Sequence, residues 1–326
     1  MAFCKGLKIR ILIVTPAKQC SLSGNRVTAG RWRKILSSLG HDVNVADRYH
    51  SGEFDLLIAL HARKSHHSVI QFYKYCYGKP VIVAMTGTDL HCDLGRSHEV
   101  EESLKLADRV LLLEPNAGRK LAKNLQDKVR VIFQSASIVN PKPKALTRWF
   151  EVTVIGHLRS VKDPFRTAYS ASGLPANSRI RIVQIGRALN STMEKTAISI
   201  TLKNSRYRFL GPMSYSETQR RLARSSLTVL SSKSEGGPAV LSEAIVNSVP
   251  VLASRIDATE GLLGAMYQGL FNVGDTSRLT DLLYRAEKDA SFRQQLVRST
   301  ESIRQKFQPE FEITSWQKLI AELKGR

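Results

Sequence analysis

The segment Ser234-Glu-Gly-Gly-Pro-Ala-Val-Leu-Ser-Glu243 sets two carboxylates around a Gly-Gly-Pro turn. The apolar run Leu227–Leu230 before it reads as a strand, and Pro238 suits the first position of a helix over Pro238–Asn247. Gly236 and Gly237 ahead of that helix leave backbone N–H groups bare, and the helix dipole adds partial positive charge. Such a turn can hold a phosphate. Glu235 on the loop and Glu243 on the helix would then accept hydrogen bonds from a sugar and a ribose on either side of it. The same spacing also describes an ordinary strand–loop–helix turn with solvated acids.

A second segment, Val154-Ile-Gly-His-Leu-Arg-Ser-Val-Lys-Asp-Pro164, ends a strand at Gly156 and clusters His157, Arg159 and Lys162 before a proline. Two permanent cations at a strand end suit a diphosphate that gains charge as a bond to it breaks. One preorganised contact of this kind contributes about 2.7–4 kcal/mol to a transition state. His157 reads as a packing or hydrogen-bonding residue rather than a titrating one. Three further loops fall after strand-like runs: Ser23-Gly-Asn-Arg-Val-Thr28, Leu60-His-Ala-Arg-Lys64 and Met85-Thr-Gly-Thr-Asp-Leu-His91. Their cleft candidates are Arg26, His61, Arg63, Lys64 and Asp89, each weighed against a plain surface role.

The elements that must carry these residues alternate. Strand patterns fall at 8–15, 42–46, 55–60, 81–86, 109–113 and 129–133, then at 151–155, 179–185, 207–210, 227–230 and 249–253. Helical patterns lie between most of them; Trp32, Ile35, Leu36 and Leu39 share one face, with Gly40 as the cap. Strands alternating with helices predict α/β architecture with parallel sheets covered on both faces. Asn140-Pro-Lys-Pro-Lys144 is the best linker, so two doubly wound, Rossmann-like domains are expected, 1–147 and 148–326, with a cleft between them. The helical stretch 291–323, broken near Pro309, would pack back on the first domain. Ligands of such sheets bind beyond the carboxyl ends of the strands.

Composition narrows the class. The 326 residues are 42% hydrophobic, enough for a sizeable core, and carry a net charge of +21. That charge divides into +11 for 1–147 and +10 for 148–326, which excludes a basic tail on a neutral body and predicts an anionic partner. Cys4, Cys20, Cys76 and Cys92 form no C-x-x-C pair, and no secretory leader or bilayer-length apolar run is present, so a cytoplasmic protein without stable membrane insertion is expected. Helix Val27–Leu39, with Arg31, Arg33 and Lys34, is the nearest candidate for a membrane-facing surface. No Walker, zincin or nucleophile-elbow motif occurs, and His91, Cys92 and Asp93 lack a second cluster, so no metal and no cofactor are expected. With 7% aromatic residues and no recognition motif, nucleic-acid binding is a minority reading.

Taken together, these residues resemble the nucleotide-sugar glycosyltransferases of the GT-B fold, family 4 type, over nearly the whole chain. Glu235 and Glu243 match that family's E-x7-E motif, and Gly156 with Lys162 match its G-R-L-x-x-x-K motif. Val249-Pro-Val251 matches its G-x-P-V strand, with Ser248 for the glycine. The resemblance implies Lys162 and Arg159 on the donor diphosphate, Glu243 on the ribose and Glu235 on the donor sugar. Gly236 and Gly237 would supply backbone donors. His157 stands in place of the usual arginine, and Thr86 in place of the histidine of H-G-T-D. These departures, with Ser21-Leu-Ser-Gly-Asn-Arg-Val-Thr-Ala29, Ala59-Leu-His-Ala-Arg-Lys-Ser65 and Gly156-His-Leu-Arg-Ser-Val-Lys-Asp-Pro-Phe-Arg166, resemble the selenosugar synthases of selenoneine biosynthesis.

That resemblance implies a UDP-sugar donor (UDP-N-acetylglucosamine or UDP-glucose) and selenophosphate, giving a 1-seleno-sugar, UDP and phosphate. Asn25, Arg26, His61, Arg63, Lys64, Thr86 and Asp89 would then line the acceptor side. The alternatives are a glycosyltransferase acting on a glycan or lipid hydroxyl, and a non-enzymatic nucleic-acid binder.

Overall fold

The structure, a computed structural model, describes residues 8–16 and 24–324; Cys4, Cys20, Ser21 and Ser23 of the sequence reading lie outside them. Two compact units form, one of 1–134 with 310–326 and one of 135–309.

In the first unit the strands are β1 (Arg10–Val14), β2 (Asp42–Ala46), β3 (Leu56–Leu60), β4 (Val81–Ala84), β5 (Arg109–Leu112) and β6 (Val129–Val131). Its helices are α1 (Gly24–Ser38), α2 (His66–Tyr75) and α3 (His98–Leu106). The sheet order is β2-β1-β3-β4-β5-β6, with every pairing parallel. Alternation along β1 feeds both faces. Ile11 and Ile13 pack with Trp32 and Leu36 on one side, while Leu12 and Val14 pack with Leu57 and Phe72 on the other.

The second unit holds β7 (Phe150–Ile155), β8 (Ile180–Ile185), β9 (Tyr207–Phe209), β10 (Leu227–Leu230), β11 (Val251–Ser254) and β12 (Leu270–Phe271). Between and after them run α4 (Arg166–Ser172), α5 (Ser191–Lys203), α6 (Tyr215–Arg224), α7 (Ala239–Val246), α8 (Asp257–Leu263), α9 (Thr276–Lys288) and α10 (Ala290–Arg304). This sheet, β12-β11-β10-β7-β8-β9, is also parallel throughout. In each sheet the strand order reverses once, between β1 and β3 and between β7 and β10. Those reversals open crevices at the carboxyl ends of the strands. Among the described residues no helix is long and apolar enough to cross a membrane.

Three local differences from the sequence reading have physical causes. α1 starts at Gly24, so Asn25 and Arg26 sit in its first turn rather than on a loop. Pro238 lies just outside α7 instead of opening it, and with extended ψ it serves as the cap. β12 is two residues long and held only by pairing with β11, so it has no periodicity to read.

The units divide at 134/135, not at the proline-rich segment near 145. Residues 135–147 are tied to the second unit: Ala136 N donates to Phe307 O at 2.9 Å and Val139 N to Asn247 Oδ1 at 2.9 Å.

The last helix, α11 (Pro309–Lys324), closes the first sheet. Trp316 meets Trp32 edge to face at 5.0 Å, and the buried Glu312 takes Arg31 Nε at 3.0 Å and Trp32 Nε1 at 2.9 Å. Arg31 is thereby withdrawn from the cationic surface expected on α1. Glu322 bridges Arg109 and Arg130, and these hydrogen bonds hold its carboxyl down to about 2.

Glu312→Ala strips a buried carboxylate from a guanidinium and an indole N–H, so a loss of about 3 kcal/mol is expected in urea unfolding. Because the carboxyl of Glu322 is depressed in the folded state, its contribution is complete above the ordinary glutamate value. It fades as pH falls from there toward about 2, and Glu322→Gln removes that part of the acid limb in a pH series of unfolding midpoints.

Candidate active site

The crevice between β7 and β10 gathers the strongest sequence candidates. Ile155-Gly156 ends β7 and Ile185-Gly186 ends the neighbouring β8, with φ of 154° at Gly156 and 148° at Gly186. A Cβ on Gly186 would lie 2.0 Å from Gly156 O, so the two loops approach as closely as backbones can. Gly186 was overlooked in the sequence, although it ends a strand in the same way as Gly156. His157 Nδ1 accepts from Arg187 N at 3.2 Å, which gives His157 a loop-fastening role.

The loop after β7 is stitched to the loop after β10. Lys233 N donates to Val161 O at 2.8 Å, and Ser231 Oγ donates to Lys162 O at 3.2 Å and Asp163 O at 2.9 Å. Held this way, Lys162 Nζ meets Glu235 Oε1 at 2.5 Å, and Ser232 Oγ donates to the same oxygen at 2.6 Å. The Lys162 side chain is 29% exposed and that of Glu235 9%. A small recess beside this pair is lined by Gly156, His157, Lys162, Pro164, Gln184 and Ser232, among others. Gly236 and Gly237 follow Glu235 into the amino end of α7, which carries the buried Glu243 in its second turn. Arg159 is exposed and makes no side-chain hydrogen bond or ion pair among the described residues.

In the first unit, the loops after β3 and β4 are locked together by Asp89. Its fully buried carboxylate accepts from Ala62 N at 2.9 Å, Thr86 N at 3.1 Å and Gly87 N at 2.9 Å. Asp89 therefore shapes this site rather than facing a ligand. His61 has a φ of 73°, and its Nε2 lies 2.9 Å from Thr88 Oγ1. Burial holds the imidazole below its usual value against the opposing charge of Asp89. Thr88 is the threonine of the H-G-T-D segment, and its partnership with His61 depends on a fold contact that the segment alone does not announce.

Arg63 is exposed and pairs with Asp93 at 3.0 Å, Lys64 is exposed, and Thr86 is half-buried. On α1, Asn25 and Arg26 are half-buried, and Arg26 Nη1 is enclosed with no hydrogen-bond partner among the described residues. Among the described residues no group of three or more His, Cys, Asp or Glu is placed to hold a metal ion.

The tight glycine pair generates a sharp expectation. Gly186→Ala should lower the thermal midpoint strongly, because its Cβ meets backbone that has nowhere to move. Gly30→Ala, in α1 with open space around it, should stabilise by about 0.5–1 kcal/mol.

Comparison with known proteins agrees with this architecture. No curated protein matches the chain by sequence. Sucrose-phosphate synthase from Thermosynechococcus elongatus superposes with a TM-score of 0.76 at 14% identity, over 97% of this chain and 99% of that one. HepE of Anabaena, solved with UDP-glucose, gives 0.75 at 15% identity over 98% and 100%. The lipopolysaccharide outer core galactosyltransferase WaaB gives 0.65 at 13% over 96% and 99%. The fold is that of GT-B glycosyltransferases. Residues 140–302 match the model of the family described as "Glycosyl transferases group 1", a stretch that includes the stitched loops after β7 and β10. The chain belongs to the glycosyl transferases group 1 family.

Proposed function

We propose that the protein transfers a sugar from a UDP-sugar to selenophosphate, forming a carbon–selenium bond. The observation that carries the donor half is the Lys162–Glu235 contact at the reversal of the second sheet, within a glycosyltransferase family match. HepE, similar in fold, has been solved with UDP and with UDP-glucose, which supports a uridine diphosphate donor.

On this reading Lys162 and the unengaged Arg159 take the diphosphate, aided by backbone N–H groups at Gly236 and Gly237 and by the dipole of α7. Glu243 receives the ribose hydroxyls. The diphosphate displaces Glu235 from Lys162, and the freed carboxylate accepts hydrogen bonds from the donor sugar. Positive side chains and backbone donors supply the stabilisation of the leaving diphosphate, so no metal or cofactor is given a part. The leaving group is most negative in the transition state, where such preorganised contacts act most strongly.

The acceptor half rests on the loops of the first unit. A hydroxyl acceptor has a high pKa and needs a positioned base. Position 86 is threonine, and the loop after β3 carries Arg63, Lys64 and the buried His61, whose imidazole is held below its usual value, while Asn25 and Arg26 lie on the first turn of α1. Arg26 Nη1, enclosed and without a hydrogen-bond partner among the described residues, is a donor suited to an anion. Selenophosphate is already anionic, and its selenium attacks the anomeric carbon as the bond to UDP breaks; hydrolysis of the Se–P bond then releases phosphate.

The protein mixed with UDP-N-acetylglucosamine or UDP-glucose and selenophosphate should yield UDP and a selenium-bearing sugar by mass spectrometry. Lys162→Ala and Glu235→Gln should each lower kcat/KM by about 10²–10³. Arg26→Ala and Arg63→Ala should raise the KM for selenophosphate. Turnover on a hydroxyl acceptor and none on selenophosphate would overturn the acceptor assignment and leave the donor assignment standing.

A further inference from the structure

The second unit separates its charges between the two edges of its sheet. Segments 156–165, 186–194, 210–217 and 231–239, which lead from strand ends into helices, hold four Lys and Arg and four Asp and Glu. Segments 140–151, 172–181, 203–208 and 221–228, which lead into the amino ends of β7, β8, β9 and β10, hold ten Lys and Arg and one acid, Glu151. These strands are neighbours in the order β10-β7-β8-β9. At about 4.8 Å per strand, the cations share an edge roughly 15 Å across. It is the edge opposite the Lys162–Glu235 site, because every strand in the sheet runs the same way.

Local structure accounts for part of this set only. Arg221 and Arg224 neutralise the buried Glu151 at 2.7 and 3.6 Å, and Lys142 and Arg206 reach the carbonyls of Asn247 and Pro175. Helix dipoles favour cations in last turns, such as Lys203, but not in the loops beyond. Lys144, Arg148, Arg179, Lys203 and Arg208 remain exposed.

Apolar side chains stand among them. On α5, Ile198 is 49% and Leu202 82% exposed, and their spacing stacks them on one face, with Lys195 and Lys203 exposed on the same helix. Leu146 is 37% exposed on the segment entering β7. The aromatics of these four segments are Trp149, flanked by the guanidinium groups of Arg148 and Arg181 at 5.0 and 4.2 Å, and the buried Tyr207. A single-stranded nucleic acid needs a succession of open aromatic faces on which to stack its bases, and this edge offers one, Tyr169, 47% exposed in the last turn of α4. Exposed leucine and isoleucine set among phosphate-seeking cations fit a bilayer interface instead.

We propose that this edge docks on an anionic lipid surface. The Lys and Arg groups lie against headgroup phosphates, and Leu202, Ile198 and Leu146 enter the boundary between headgroups and acyl chains. The association is peripheral and independent of the sugar acceptor.

Sedimentation of the full chain with vesicles tests it. The protein should pellet with phosphatidylcholine–phosphatidylglycerol vesicles and not with phosphatidylcholine alone, and added salt should weaken the association. Arg148→Ala and Arg179→Ala should each weaken the partition about fivefold. Leu202→Ser should weaken it severalfold at unchanged charge. Arg187→Ala, exposed on the opposite edge, changes net charge equally and should leave binding intact, with unchanged thermal midpoints showing that each variant is folded. Equal loss in Arg187→Ala would reduce the effect to net charge and overturn the proposal. So would indifference to Leu202→Ser, tighter binding to a single-stranded RNA oligomer at the same salt, or no vesicle binding.

Discussion

Parallel strand pairing is the constraint from which the rest of this molecule follows. A parallel pair cannot be closed by a tight turn, so every strand must be followed by a crossover long enough to return the chain to the starting edge. In both sheets, therefore, all strand-to-helix loops emerge on one edge and all helix-to-strand loops on the other. The residues with chemical potential sit on the first kind of edge: Gly156 to Lys162, Glu235 to Gly237, and His61 to Lys64. The single reversal of strand order in each sheet then selects which pair of loops stands apart enough to admit a ligand.

Within those crevices the carboxylates divide by what meets them. Asp89 turns both oxygens toward backbone N–H groups and so holds two loops in register. Glu235 faces an ammonium group and a serine hydroxyl in a partly open recess, where another anion can compete for the ammonium. A carboxylate bound to backbone donors is fixed by the fold; one bound to a lysine side chain can be exchanged. This difference separates a shaping residue from one suited to handling substrate, although both are acids at strand-end loops. The two closing glycines serve the same recess from the backbone side, since any side chain at Gly186 would push its neighbour loop away.

Part of the large positive charge acquires a location. At the strand-to-helix edge of the second sheet, cations and acids balance, and the phosphate-binding assignment needs only Lys162, Arg159 and the amino end of α7. On the opposite edge cations outnumber the buried acids Glu151 and Glu287, and exposed aliphatic side chains stand among them. A small anionic substrate does not account for the cations of that edge, and the proposed docking on an anionic lipid surface gives them a role.

The twelve strands among the described residues show how far sequence reaches. Eleven announce themselves through apolar runs or a flanking turn, and the central ones, such as β3, β4 and β10, read as continuous hydrophobic sequence because both of their faces are buried; the glycine-rich, charged loops after the strands mark the site. β12 escapes, since two residues carry no period and only its neighbour β11 makes it a strand. The division at 134/135 escapes as well: prolines near 141 suggest a linker, yet hydrogen bonds to Asn247 and Phe307 attach that segment to the second unit. The return of α11 to the first sheet was readable as a helical stretch beyond Pro309, but its anchor, Glu312 between Arg31 and Trp32, spans about 280 residues of chain. Residue type and spacing decide local structure and nominate Lys162, Glu235 and Glu243. That Lys162 meets Glu235, that His61 meets Thr88, and that Asp89 is spent on backbone donors are decided by tertiary structure, because contacts between distant loops depend on strand order, which no local pattern encodes.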